Sequence, residues 1–177
     1  YKTYLRYKKD KKKSFKLGIE KGYKYLVKIL LTEIDPSDDN NSAIRKANKN
    51  NHISIVKILL KDHRVDPSAK NNYAIRKASI DGHTSTVKLL LKDKRVDPSA
   101  VDNMAIRWAS ENGHTEIVKV LLEDKRVNPS DNNNYAIRMA SYNDQLETVK
   151  LLLKDKRVDP SAVDNMAIRW ASENGHT

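Results

Sequence analysis

The feature that most constrains this chain is a period. The tripeptide A-I-R begins at Ala43, Ala74, Ala105, Ala136 and Ala167, every interval being 31 residues. The prolines, Pro36, Pro67, Pro98, Pro129 and Pro160, keep the same spacing. The string KDKRVDPSAVDNMAIRWASENGHT stands at 92–115 and again, unchanged, at 154–177, two periods away. A fixed period of this length marks a repeat architecture, in which a unit too small to bury its own apolar face stacks on its neighbours. A degraded unit precedes the regular ones. With a two-residue gap, Phe15 aligns with Ile44, Gly18 with Ala47, Val27 with Val56, and Leu30 and Leu31 with Leu59 and Leu60, while the opening hairpin is missing. The chain therefore divides into a basic tail at 1–13, a degenerate repeat at 14–36, full repeats at 37–67, 68–98, 99–129 and 130–160, and a partial repeat at 161–177.

The unit 99–129 shows what each repeat builds. Residues 99–104 are polar and turn-rich around Asp102-Asn103. A short helix follows over 105–112, with Ile106 and Ala109 on one face. Gly113 ends it, where a left-handed residue closes a helix; its counterparts Gly22, Asn51, Gly82, Asp144 and Gly175 all tolerate positive φ. A second helix is expected from about Thr115, which can cap it, to Glu123, with Val118, Leu121 and Leu122 as its apolar stripe. Pro129 then turns the chain outward. Helices of about 8–10 residues do not persist alone in water. Stacking of Ile106, Ala109, Val118, Leu121 and Leu122 on Ile75, Ala78, Val87, Leu90 and Leu91 supplies the missing burial. The expected fold class is all-α, a solenoid of stacked helix-turn-helix units joined by short hairpin-like loops.

Composition bears on function. Apolar residues are 38% and charged residues 32%, a lean core that thin buried stripes would suit. There is no cysteine, so disulfides and thiolate chemistry are excluded. The absence of disulfides fits an intracellular location, in cytoplasm or nucleus. No apolar run approaches the roughly 18 residues of a membrane span, and residues 1–13 lack the apolar stretch of a signal peptide. Those 13 residues hold seven Lys or Arg and one Asp, a charge of +6 out of the chain's +11. The chain lacks an initiator Met and stops at Thr177, where an outer helix should begin. It is therefore expected to be a piece of a longer protein with further repeats, and residues 161–177 are expected to fray first.

The unit resembles the ankyrin repeat, whose signature T-P-L-H-x-A is replaced here by A-I-R-x-A. Ile106 stands for the Leu, Arg107 for the His and Ala109 for the Ala. The second half, Gly113, His114, Ile117, Val118, Leu121 and Leu122, is better kept. The D-x-R-V-D-P-S variant and the Lys- and Asn-rich composition are similar to ankyrin proteins of giant DNA viruses of amoebae. The resemblance implies a scaffold for protein–protein interaction, with no enzymatic activity and no cofactor. In such a scaffold the partner meets the hairpin tips and the inner-helix ridge of a concave face. At the tips these are Asp39, Asn41, Lys70, Asn72, Val101, Asn103, Asn132 and Asn134. On the ridge they are Lys49, Ile80, Asp81, Glu111 and Tyr142, with Ile80 and Tyr142 as exposed apolar anchors. Loss of the family's Thr-Pro start leaves Arg45, Arg76, Arg107, Arg138 and Arg169 to be accounted for. An Arg–Asp ladder to loop carboxylates such as Asp66, Asp97 or Asp159 is one expectation.

Other chemistry is weaker. His52, His83, His114 and His176 recur with the period, but layers at helix-packing spacing lie too far apart for one ion, so no metal is expected. The resemblance gives these rings a local hydrogen-bonding role. Trp108 and Trp170 are expected to pack between repeats. No catalytic constellation is present: no G-x-S-x-G, no phosphate-binding glycine loop, no H-E-x-x-H. The expected partner is a protein, of the host cell if the chain is viral. An alternative is binding of nucleic acid or an acidic surface by the tail, where Tyr1, Tyr4 and Tyr7 interleave with basic residues. A further alternative is the substrate-recruiting part of a viral ubiquitin-ligase adaptor. No membrane role is expected.

Overall fold

A computed structural model of the protein describes residues 10–175. Among them are eleven helices and no strand. The described residues fall into two compact units that divide between Ala74 and Ile75. The first holds α1 (Lys11–Lys21), α2 (Lys24–Leu30), α3 (Asp38–Lys49), α4 (Ile53–Leu60) and the start of α5 (Ala69–Ile80). The second holds the rest of α5, then α6 (Thr84–Leu90), α7 (Ala100–Glu111), α8 (Thr115–Leu122), α9 (Asp131–Tyr142), α10 (Leu146–Leu152) and α11 (Ala162–Glu173).

In each unit the expected stripes form the core. Ile75, Ala78, Val87, Leu90, Ile106, Ala109, Val118 and Leu121 are fully buried in the second unit; Ile19, Val27, Ile44, Val56 and Leu59 are buried in the first. Leu91 and Leu122 are only half-buried, because each lies round the helix from the face that meets its neighbours. Ile117 and the loop valines Val65, Val96 and Val127 take up that burial instead. A valine just before Asp-Pro or Asn-Pro is thus part of the core rather than of an exposed breaker segment.

Two helix starts differ from expectation. His114, not Thr115, occupies the cap position of α8 and makes no side-chain cap bond. The Thr115 hydroxyl instead shares a 2.8 Å hydrogen bond with that of Thr148 in the next repeat. At the other end of the chain, α1 begins at Lys11, inside the stretch read as tail. Asp10 caps it, its Oδ1 accepting the Lys13 N–H at 2.9 Å. Lys11 pairs with Glu33, and Lys12 with Asp38 at 3.0 Å. The remaining tail, including Tyr1, Tyr4, Tyr7, Lys8 and Lys9, lies outside the described residues.

The largest departure is the connection between repeats. The hairpin-like loop is a left-handed turn of three residues, fused to the inner helix. Asp39-Asn40-Asn41, Lys70-Asn71-Asn72, Val101-Asp102-Asn103, Asn132-Asn133-Asn134 and Val163-Asp164-Asn165 all have φ between 52° and 60°. Such a conformation costs an L-residue roughly 1–2 kcal/mol, and is least costly for Asn and Asp, which make up twelve of the fifteen. The third residue of each turn closes an N–H bond to the Ser four residues earlier, at 2.7–2.9 Å. Two further sets of bonds offset the strain. Arg45 donates to the Asp39 and Asn40 carbonyls at 2.8 and 3.0 Å, Arg107 to Asp102 at 3.1 Å, and Arg138 to Asn132 and Asn133 at 3.3 and 2.9 Å. The third-position Asn bonds onward: Asn41, Asn103 and Asn134 each accept, through Oδ1, the backbone N–H of Asp66, Asn128 and Asp159 at 2.7–2.8 Å.

These bonds overturn the expected Arg–Asp ladder. Each of these arginines lies five or six residues from its own turn, where it meets carbonyls and not carboxylates. The carboxylates of Asp66, Asp97 and Asp159 are occupied instead by the N–H and hydroxyl of Ser68, Ser99 and Ser161.

Among the described residues no outer helix follows α11. Ile168 is 61% exposed, where its equivalents Ile106 and Ile137 are at most 1% exposed. Leu121→Ala is expected to cost about 2–5 kcal/mol in urea denaturation, and Ile168→Ala about 0.5 kcal/mol or less. Amide exchange should likewise be faster over 167–171 than over 105–109; equal protection would contradict this packing. Asn103→Ala loses the bond to Asn128 and replaces Asn by a residue that tolerates positive φ less well, so a loss of about 2–4 kcal/mol is expected. Asn103→Gly keeps the conformation and should lose clearly less. Equal losses would remove the left-handed turn from the account.

Candidate partner-binding surface

The left-handed turn sorts its own side chains. Its first two residues are exposed: Asp39 and Asn40, Lys70 and Asn71, Val101 and Asp102, Asn132 and Asn133. Its third is buried in the described full repeats, with Asn41, Asn72, Asn103 and Asn134 at 6–8% exposure. These four of the five asparagines expected at the partner-binding tips are therefore not on the surface. Those of Asn41, Asn103 and Asn134 are spent on tying one turn to the next, and the Asn103 Nδ2 also donates to Asp131 at 2.8 Å. Asp39, Lys70, Val101 and Asn132 do stand at the exposed tips. Val101, at φ 58°, is a β-branched residue in a conformation its side chain resists, and it holds an apolar group 38% exposed.

The inner-helix positions are mixed. Lys49 is exposed. Ile80 is half-buried, and Asp81 is bonded to Lys77 at 2.6 Å. Glu111 accepts the Tyr135 hydroxyl at 2.9 Å. Tyr142 is 44% exposed and meets Trp170 edge-on, ring centres 5.5 Å apart. Trp170 also lies under Arg138 at 5.8 Å, and Trp108 is half-buried, so both tryptophans lie within the packing of the repeats.

Within each unit a column of cations and soft side chains runs beside this ridge. Position 73 of the period carries Tyr73, Met104, Tyr135 and Met166 in successive repeats. Each meets the arginine of the repeat before: Arg45 lies 5.9 Å from the Tyr73 ring, Arg76 3.0 Å from the Met104 sulfur, Arg107 4.5 Å from the Tyr135 ring, and Arg138 3.1 Å from the Met166 sulfur. Burial, and then the bond to Glu111, raises the Tyr135 phenol above its ordinary value. The signal available in the sequence was the recurrence of a large side chain at one register inside a segment read as loop.

The histidines bond across repeats. His52 Nε2 donates to the Glu20 carbonyl and His114 Nε2 to the Ile80 carbonyl, each at 3.1 Å. Their rings lie against Gly22 and Gly82, where a Cβ would come within 2.9 Å; these glycines, at φ 78° and 75°, thus have two reasons to lack a side chain. Among the described residues no three His, Asp or Glu groups converge as metal ligands, and no helix is long and apolar enough to cross a membrane. His176 lies outside the described residues.

A family model of ankyrin repeats, three copies long, matches residues 15–102 and again 75–164. This chain belongs to the ankyrin-repeat family. The described repeats are all-helical, and ankyrin repeats as a family are generally protein–protein interaction scaffolds, typically non-enzymatic ones. Comparison with curated proteins gives no match. The ankyrin motif's second half keeps its His, while the A-I-R half has recruited its arginine to hold the left-handed turn.

The D-x-R pairs are the ankyrin repeats' other electrostatic tie. Asp62–Arg64, Asp93–Arg95, Asp124–Arg126 and Asp155–Arg157 each close at 2.6 Å. Arg64, Arg126 and Arg157 also donate to carbonyls of the preceding loop: Leu31 at 2.8 Å, Val96 at 2.7 Å and Val127 at 2.8 Å. The arginine bond draws the Asp62 carboxyl from 3.8 down to about 2, and lowers Asp93, Asp124 and Asp155 in the same way. A carboxylate whose folded pKa is depressed stabilises the fold above its unfolded pKa, and this is lost as pH falls through the folded one. The melting temperature should therefore drop between about pH 5 and pH 2. Arg126→Met removes one such contribution, so its loss over that window should be shallower than that of the parent. Parallel curves would show that the pair does not contribute.

Proposed function

We propose that this protein holds a protein partner on its exposed turn tips and the inner-helix ridge beside them. The observation that carries this is a contrast inside one backbone element. The third residue of the turn is Asn in all five copies and is structural. The first, at the exposed tip, is Asp39, Lys70, Val101, Asn132 and Val163 in turn. A fixed backbone that presents a changing side chain is what a recognition surface built from repeats requires. Val101 and Tyr142 supply apolar contact in the second unit, and aromatic anchors are favoured at interface hot spots. Asp39 and Lys70 supply charge in the first.

The basic tail is the weaker candidate. Lys11 and Lys12 are engaged with Glu33 and Asp38, which reduces the positive charge open to an anionic surface. The D-x-R-V-D-P-S variant and the Lys- and Asn-rich composition support a viral origin as a finer reading, with a host-cell protein as partner. A role in recruiting substrates to a ubiquitin ligase would use this same surface.

The test is capture from host-cell lysate on the immobilised full chain, with bound proteins quantified by mass spectrometry. Val101→Lys with Tyr142→Lys should reduce the captured partner at least roughly tenfold, since hot-spot truncations cost about 2 kcal/mol or more. Lys88→Ser with Lys119→Ser, on the outer helices, should leave capture unchanged. Loss with the outer-helix pair, or a salt-steep loss with Lys8→Ser and Lys9→Ser, would move the function to another surface.

A further inference from the structure

The column of large side chains described above has one gap, and it lies at the first junction. Where later repeats carry Tyr73, Met104, Tyr135 and Met166, the first full repeat carries Ser42. An open cavity of about 210 Å³ occupies that place, between α1 and α3. Phe15, Ile19, Ile34, Pro36 and Ala43 give it an apolar lining, and Ser42 is part of its wall. Apolar cavities of roughly 150 Å³ are large enough to bind a benzene ring.

The partners of the missing side chain are still there. Tyr135 is held by Arg107 on one face and by Glu111 at its hydroxyl. In the alignment of the degenerate repeat, Lys16 stands at the position of Arg107 and Glu20 at that of Glu111. Lys16 lines the cavity. Glu20 and Lys16 together line a shallow depression that adjoins it. Lys46 bonds one oxygen of Glu20 at 3.0 Å, and the carboxylate has a second oxygen for another donor. The first junction therefore keeps a cation for a ring face and a carboxylate for a phenolic hydroxyl, and lacks only the phenol.

We propose that this cavity is a binding site for a tyrosine side chain presented by a protein partner. The ring enters above Ser42, its face meets Lys16, and its hydroxyl donates to Glu20. The site completes from outside the column that Tyr73 and Tyr135 complete from within. It does not depend on the tips and ridge of the second unit, so a Val101→Lys, Tyr142→Lys chain should bind the same probe unchanged.

The test uses the full chain, labelled for NMR, titrated with acetyl-Ala-Tyr-Ala-amide and its Phe and Leu analogues. Amides near Lys16, Glu20 and Ser42 should shift, and the Tyr peptide should bind roughly 2–10-fold more tightly than the Phe peptide, the range one hydrogen bond is worth. The Leu peptide should be weakest. Glu20→Gln should narrow the difference between Tyr and Phe. Ser42→Tyr fills the cavity from within, and should raise the melting temperature and abolish peptide binding; Ser42→Met is the second filling variant should the first misfold. Binding that survives both substitutions, a Leu peptide as tight as the Tyr peptide, or shifts centred elsewhere would overturn the proposal. Tighter binding after Tyr1, Tyr4 and Tyr7 are all changed to Ser would assign the cavity to the chain's own tyrosines, and would also overturn it.

Discussion

The bond from a buried asparagine oxygen to the backbone N–H that opens the following turn is the interaction on which each unit depends. A left-handed run of three L-residues is unfavourable in isolation, and the local bonds to the serine carbonyl and from the arginine act on one repeat only. The asparagine makes the turn part of a longer circuit: turn, inner helix, outer helix, loop, and back to the same turn's side chain. A shift of one residue in register would break the oxygen's bond and leave a buried polar group unpaired, at a cost of about 1–3 kcal/mol. The arginine of A-I-R works on the same turn from the other side, holding its carbonyls. The turn is thereby fixed in shape while its first side chain is free to vary.

Much of this fold is legible in the sequence because stacking repeats the same requirement every 31 residues. Ile106, Ala109, Val118 and Leu121 follow helical spacing, and their burial follows from that spacing alone. The turn was not legible in the same way. Runs such as Asn132-Asn133-Asn134 have the composition of a solvated loop, and hydrophobic patterning carries no information on handedness. The clue lay in invariance: Asn41, Asn72, Asn103 and Asn134 never change, while the residue two places earlier does. A polar residue that holds constant across copies was doing the work of a core residue. Ala-Ile-Arg misled for a related reason. A long cation beside loop carboxylates suggests an ion pair, yet those carboxylates were already held by the serine two residues on.

Contacts between repeats also explain positions that local geometry accounts for only in part. Gly22 and Gly82 need positive φ, but so do Asn51 and Asp144, which are not glycine. At Gly22 and Gly82 the imidazole of the next repeat also lies against the glycine, where a Cβ would come within 2.9 Å of it. Gly113 faces Gln145 in the same manner. At these three glycines the following repeat leaves no room for a Cβ.

The alternation of Tyr73, Met104, Tyr135 and Met166 has a consequence for how such an array can grow. Neighbouring layers are related by 31 residues in backbone but by 62 in side chain, and the unchanged 24-residue string recurs at the longer distance. The unit cell of this array is a pair of repeats, one phenol layer and one thioether layer. Insertion or deletion of a single repeat would put like residues at successive copies of this register. Duplication of a pair would pass through the array without a seam.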